Sequence, residues 1–313
     1  MSFTLTGCEK NEFNKDDGII DIVCLNFPCY DFARQIAGDL EGINVSMLLK
    51  PGVEVHNYEM TPNDLLKIQN SDVLVYVGGE SDEWVDEILR NLEDEKLVIA
   101  LSNFVSVIPE EFKEGMEKEE DEHELYKHDE GRDVAVEYDE HVWTSPKNSA
   151  LIVRSMIEEL SSKYPERSED FKQKGEEYAR KLDDLDSEFR KIVSEGNTKE
   201  IIVADRFPLI YFTLEYGLDY YAAFPGCAAE SEASGKTISF LIDKIKEDDI
   251  KYIFHIEMSN EKLANILTEE TGAKSLLFHS AHNVTSSEFE EGVTVESLMR
   301  GNLETLKLAL MNE

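Results

Sequence analysis

The chain has 313 residues, of which 67 are Asp or Glu and 31 are Lys or Arg, for a formal net charge of −36. A nucleic-acid backbone is held by a concentrated Lys/Arg surface that displaces its counterions, and no basic stripe occurs anywhere in the sequence, so nucleic acid is excluded as a partner. A field of this sign draws cations, besides keeping a protein soluble, and the length suits two domains of ordinary size, each with its own core.

At the N-terminus, Leu5-Thr6-Gly7-Cys8 has the form of a bacterial lipobox, whose Cys is lipidated once everything before it is removed. Only Met1 to Thr4 stand upstream, so the usual apolar stretch is missing and the start reads as trimmed. The alternative is a chance Leu-x-Gly-Cys in a cytosolic protein. Residues 1–18 then form the lipobox and a flexible tether. No later segment approaches the roughly 20 apolar residues of a membrane span, which leaves a lipid on Cys8 as the link to a membrane.

Short apolar runs at Ile19–Asn26, Val45–Leu49, Asp72–Val77 and Leu97–Leu101 alternate with amphipathic stretches such as Tyr30–Gly38 and Asp82–Leu92. That alternation predicts βα repetition with a mainly parallel sheet, an N-terminal α/β lobe over 19–148. Glu110 to Glu140 breaks the order. It is dominated by Glu, Asp and Lys, contains His123 and His128, and reads as a mobile acidic loop able to collect metal weakly or simply to be solvated. Residues 149–198 are rich in helix formers with one proline, Pro165, and predict a shorter helix followed by a long one at Ser168–Glu195. Leu182, Leu185, Phe189 and Ile192 give that long helix an apolar face, so it serves as a stiff connector. The βα pattern resumes over 199–313, with strands at Glu200–Ala204, Tyr220–Phe224, Tyr252–Ile256 and Ser275–Phe278 and helices at Ser239–Glu247 and Glu261–Thr271. The fold class is therefore α/β, two lobes joined by a long rigid helix.

Two segments carry the chemistry. Pro51-Gly52-Val53-Glu54-Val55-His56-Asn57-Tyr58-Glu59-Met60-Thr61-Pro62 and Asp139-Glu140-His141-Val142-Trp143-Thr144-Ser145-Pro146-Lys147-Asn148 each set one histidine among turn residues at an element end. Loops on a rigid scaffold are where function concentrates, and neutral imidazole is the commonest metal ligand.

These two segments, the lobe–helix–lobe order and the lipobox resemble the zinc/manganese class of ABC-importer solute-binding lipoproteins, closest to the zinc-binding group, from about Ile19 to the C-terminus. The family pattern has proline where Val55, Met60 and Glu140 stand here. The resemblance implies that His56 and His141 ligate the ion, that the lipid-anchored protein works as a monomer at the outer face of the cell membrane, and that it delivers its ion to an ABC permease. It also implies two further ligands from the second lobe. The first of those places reads Val203-Ala204-Asp205-Arg206, where Ala204 coordinates nothing and Asp205, one residue on, either ligates or pairs with Arg206. The second reads Leu277-Phe278-His279-Ser280-Ala281-His282-Asn283, where His279 takes the place of the family's aspartate and His282 is an alternative ligand or a partner to one. Glu257, Glu232 and Glu230 are further oxygen donors, and His255 reads as structural. Three imidazoles and a carboxylate suit Zn2+ in tetrahedral geometry, whereas Mn2+ prefers more oxygen. Capture would proceed by small tilts and loop ordering.

Cys29 and Cys227 both follow a strand, in Phe27-Pro28-Cys29 and Phe224-Pro225-Gly226-Cys227, so their strand ends face one cleft. A Cys29–Cys227 disulfide across the lobes follows if the Cα atoms come within roughly 6 Å. Rival functions are a binder of a metal chelate or small organic solute, with Tyr211, Tyr220 and Tyr221 in its pocket, and a zinc hydrolase. The sequence has no His-Glu-x-x-His, Gly-x-Ser-x-Gly or glycine-rich phosphate loop.

Overall fold

In the computed structural model, residues 18–53, 58, 60–90, 96–116, 137–227 and 232–312 are described. Cys8, His56, His123, His128 and Glu230 lie outside them, so the readings placed on those residues remain expectations.

Strands β1 (Ile20–Cys24), β2 (Ile43–Met47), β3 (Val73–Tyr76) and β4 (Leu97–Ala100) form one all-parallel sheet in the order β2-β1-β3-β4. Strands β5 (Glu200–Phe207), β6 (Asp219–Pro225), β7 (Tyr252–His255) and β8 (Lys274–Leu277) repeat that order as β6-β5-β7-β8. The central strands carry apolar runs such as Val73–Tyr76 and Ile201–Ala204 because parallel sheets are covered on both faces. Ile22, Cys24, Val73 and Val75 pack under α1 (Phe27–Ala37), while Val23, Leu74 and Tyr76 pack on the other face against Ile68 of α2 (Pro62–Asn70) and Val85 of α3 (Glu83–Leu89).

The second sheet is covered in the same way. Ile202, Ala223 and Ile253 meet Leu241 of α7 (Gly235–Glu247) and Leu263 and Leu267 of α8 (Lys262–Thr271), and Ile201, Val203 and Phe254 face α6 (Ile210–Tyr216) and α10 (Val295–Met311). Between β8 and α10 lies the short helix α9 (Ser286–Glu291).

Helices α4 (Pro146–Lys163) and α5 (Ser168–Glu195) stand between the sheets. The 28 residues of α5 span roughly 42 Å at the helical rise, over the predicted range. Its buried stripe of Phe171, Tyr178, Leu182, Leu185, Phe189 and Val193 belongs to a cluster that also holds β1 and β3 residues from one side and β5 and α10 residues from the other. Each half keeps a buried cluster of its own on the sheet face turned away from α5, and a third, larger core runs through α5 because the helix offers apolar side chains to both sheets.

The strand order reverses between β1 and β3 and again between β5 and β7, and in open parallel sheets ligands bind beyond the carboxyl ends of the strands at such a reversal. The loops after β2, β4, β7 and β8 leave those ends and meet. Gly52 N–H donates to Val284 O at 2.8 Å, and Trp143 Nε1 donates to Ser280 O at 3.0 Å.

Candidate metal centre

His141 is the fixed point of the site. Residues 142–144 make a single 3-10 turn, after which Ser145 caps α4 by accepting from Asn148 N, with Pro146 in the first helical turn. Tyr211 Oη holds the loop from the opposite half, donating to Asp139 O at 2.6 Å. One oxygen of Asp139 then accepts from His141 N at 2.8 Å and faces His141 Nδ1 at 3.2 Å. A carboxylate on Nδ1 keeps the proton there and turns the Nε2 lone pair outward, the arrangement metal-ligating histidines use. The ring is fully buried. Burial works against its protonation, but Asp139, Glu140 and Glu110 outweigh that and raise its pKa above the ordinary value.

Gly226 seals this corner. A Cβ there would lie 2.7 Å from Asp139 Oδ2, 3.0 Å from Phe207 O and 3.3 Å from His141 Cε1, so only glycine leaves His141 its place.

From the other half, the loop after β8 presents His282 and withholds His279. Ala281 adopts a left-handed φ of 58°, uncommon for a residue with a Cβ. The resulting curl lets Ala281 N donate to His279 Nδ1 at 2.9 Å, while Asn302 of α10 bonds both the N–H and the C=O of His279. His279 is thereby engaged within its own loop, with Glu257 3.6 Å from Nδ1 and Glu288 3.8 Å from Nε2, and is not among the residues that line the cavity. Glu257 stiffens the same loop by accepting from Ser280 N, Ser280 Oγ and His282 N at 2.7, 2.6 and 3.0 Å.

His282 and His141 meet edge to face with ring centroids 4.9 Å apart, and Trp143 packs against both, at 5.1 and 5.4 Å. Both rings line a cavity of about 30 Å³ with Arg206, Glu257, Met258 and Asn283. One donor atom from each of Glu140, His141 and His282, all buried, lies within 4.8 Å of the other two. A second trio of donors, Asp139, His141 and Cys227, satisfies the same limit.

Several sequence expectations are corrected here. Asp205 sits in a register shift between Val203 and Arg206, where a bulge re-aims side chains. Its Oδ1 accepts from Arg206 N at 2.9 Å, its side chain bonds Ser259, and burial raises its pKa. Neither Asp205 nor Glu140 is among the residues that line the cavity. Glu232 is on the surface, 3.2 Å from Lys262. Cys29 and Cys227 are both free thiols: Cys29 belongs to the first turn of α1 and points into the core, while Cys227 is turned toward Asp139 and His141. Burial, reinforced by Glu140, Asp139 and Glu110, pushes the Cys227 pKa well up, so the thiol stays protonated. His255 is structural, with Nδ1 2.7 Å from Ser275 Oγ.

Glu140, whose carboxylate stands beside both histidines, was given no role by sequence reasoning. It was legible only as a departure, a carboxylate where the resembling pattern has proline.

Residues 22–309 match the family model described as "ZnuA: Zinc-uptake complex component A periplasmic". The zinc-binding protein AdcA of Streptococcus pyogenes serotype M3 is 33% identical over 295 residues, covering 93% of this chain but 56% of that protein. The chain thus spans about half the length of the curated relatives it first matches. The high-affinity zinc uptake system protein ZnuA of Bacillus subtilis is 28% identical over 93% of this chain and 88% of its own. Among solved structures, the Zn(II)-bound ZnuA-like domain of Streptococcus pneumoniae AdcA superposes with a TM-score of 0.76 at 28% identity, covering 94% of this chain and 100% of that one.

Proposed function

The chain belongs to the zinc-uptake complex component A family, and from that premise we propose that it captures Zn2+ in the cleft between its two halves, through His56 and His141 on one side and His282 on the other. The observation that carries the reading is the convergence of His141 and His282, one from the loop after β4 and one from the loop after β8, on a cavity of about 30 Å³. A cavity that size takes an ion and little else; an organic solute needs roughly 300–1,000 Å³, which counts against a chelate or metabolite as cargo. Imidazole donors at about 2.0–2.1 Å favour zinc over manganese.

Ligands in a tetrahedral site of that radius are about 3.4 Å apart, so donors up to 4.8 Å apart need only a short inward movement of their loops. Capture is a binding event with no chemical step. The full setting is part of the same proposal: a lipid on Cys8 holding the protein at the outer face of the membrane, a monomer, an ABC permease that receives the ion, and lobes at 19–148 and 199–313 joined by 149–198.

Titration of metal-stripped protein against a competing chelator tests this. His141→Ala and His282→Ala should each weaken zinc binding by at least tenfold; zinc affinity unchanged in both would sink the proposal.

A further inference from the structure

Building on the zinc-capture reading, we propose that Glu140 supplies the carboxylate of the centre, so that one half of the molecule gives the ion adjacent oxygen and nitrogen donors, Glu140 and His141, and the other half gives His282. Glu140 is 4% exposed, and its carboxylate lies within 4.8 Å of the donor atoms of both histidines.

A buried carboxylate is costly unless a positive charge compensates it. The hydrogen bonds to its carboxylate come from neutral donors, Ser81 N to Oε2 at 3.1 Å and Ser81 Oγ to Oε1 at 2.8 Å, and Arg206 lines the cavity beside the two histidines. A second buried carboxylate, Asp82, stands close by. A dication held between Glu140 and the two imidazoles would compensate the charge of both carboxylates.

The surroundings are shaped for the side chain. A Cβ on Gly79 would fall 2.3 Å from Glu140 Cβ and 2.5 Å from its Oε2, so the turn after β3 makes room for it only because it is glycine. Each carboxylate oxygen takes one bond from Ser81 and keeps a second lone pair free for a metal. The rival carboxylates are committed elsewhere: Asp139 to His141, Glu257 to the loop of Ser280 and His282, and Asp205 to its own bulge. The carboxylate that the resembling family draws from the second lobe is thus replaced by one preceding the histidine of the first.

The test uses the whole protein. Glu140→Gln should bind zinc roughly 10- to 100-fold more weakly, the scale on which lost metal-site partners act. Its metal-free form should melt at or above the wild-type temperature, which separates a lost ligand from a damaged fold. X-ray absorption of the zinc-loaded protein should lose one oxygen neighbour in the variant. Zinc affinity within threefold of wild type, with an unchanged set of atoms around the metal, would overturn the assignment. If His141→Ala and His282→Ala abolish binding while Glu140→Gln does not, only the role of Glu140 falls; if all three bind normally, the zinc reading falls with it.

Discussion

Replacing Asp82 by Asn should stabilise the metal-free protein at pH 8 and change little at pH 4. Asp82 ends the 3-10 turn after β3, is 3% exposed, and accepts from Val77 N at 2.8 Å and Gly78 N at 3.1 Å. Those two bonds favour the carboxylate, but burial, and after it the charge of Glu140, push its pKa from 3.8 up to about 7. A pKa raised in the folded state makes ionisation costlier there than in the unfolded chain. The cost is absent below the unfolded value, grows between pH 4 and pH 7, and is complete above that. The rise of 7 − 3.8 = 3.2 units, at 1.36 kcal/mol each, sets a ceiling of about 4 kcal/mol. Asn keeps an acceptor for the two backbone N–H groups and removes the charge. In thermal melts of stripped protein at pH 4, 6 and 8, Asp82→Asn should run several degrees above wild type at pH 8 and converge with it at pH 4. A difference that stays constant across the three pH values, or a wild type more stable at pH 8, would refute the reasoning. With zinc bound beside Glu140, the advantage of the variant at pH 8 should shrink.

Three further substitutions probe separate parts of the site. Asp139→Asn removes the charge that holds His141 Nδ1–H and should weaken zinc roughly 10- to 100-fold in a chelator titration, with a melting temperature near that of wild type. Gly226→Ala drives a methyl group to 2.7 Å from Asp139 and 3.0 Å from Phe207 O; it should cost about 1–3 kcal/mol by overpacking, read in urea unfolding, and weaken zinc as well. Asp31→Ala deprives four donors of one buried acceptor, Arg34 Nε, Gln35 Nε2, Tyr178 Oη and Val295 N at 3.0, 3.2, 2.7 and 2.7 Å. About 3–5 kcal/mol should be lost, and an unchanged urea midpoint would show that the network contributes nothing.

The architecture was legible because its signals are periodic. Apolar runs of four to eight residues between helical stretches located all eight strands, and α5 was read to the residue because Ser168–Glu195 holds no proline and keeps one apolar stripe. At the site, periodicity no longer helps. His279 and His282 stand three residues apart, and the choice between them is made by the left-handed backbone of Ala281 and by Asn302, 23 residues away in α10. The choice left open at Asp205, between ligand and partner of Arg206, is of the same kind, since a one-residue irregularity in β5 decides where a side chain points. Glu140 depends on Gly79 and Ser81, about 60 positions earlier in the chain, a relation no local pattern encodes. The Cys29–Cys227 pairing failed because following a strand is not facing a cleft: Pro28 and the Asn26 cap begin α1 at once and turn Cys29 into the core.

How an ion joins two halves that already touch follows from where the existing bridges lie. On the cavity side, Gly52 N bonds Val284 O, Trp143 Nε1 bonds Ser280 O, and Tyr211 Oη bonds Asp139 O. At another point of contact, Asp31 of α1 accepts from Tyr178 of α5 and from Val295 N at the start of α10, so both lobes and the connector meet on one carboxylate. A molecule tied at several such points and sharing the core that runs through α5 has little freedom for wide hinge opening. Its donors are then held close to their bound positions before zinc arrives, and the ordering cost of binding falls. In the proposed site, what the ion adds is a tie between the Glu140–His141 segment and the loop of His282. It can shift the lobes only by as much as it prefers the closer arrangement over the looser one. The preference is concentrated in donors that must move by an ångström or so from separations of up to 4.8 Å. In the proposed capture step the segments that move are consequently those of Glu140–His141 and His282, and the lobes need only tilt to follow them.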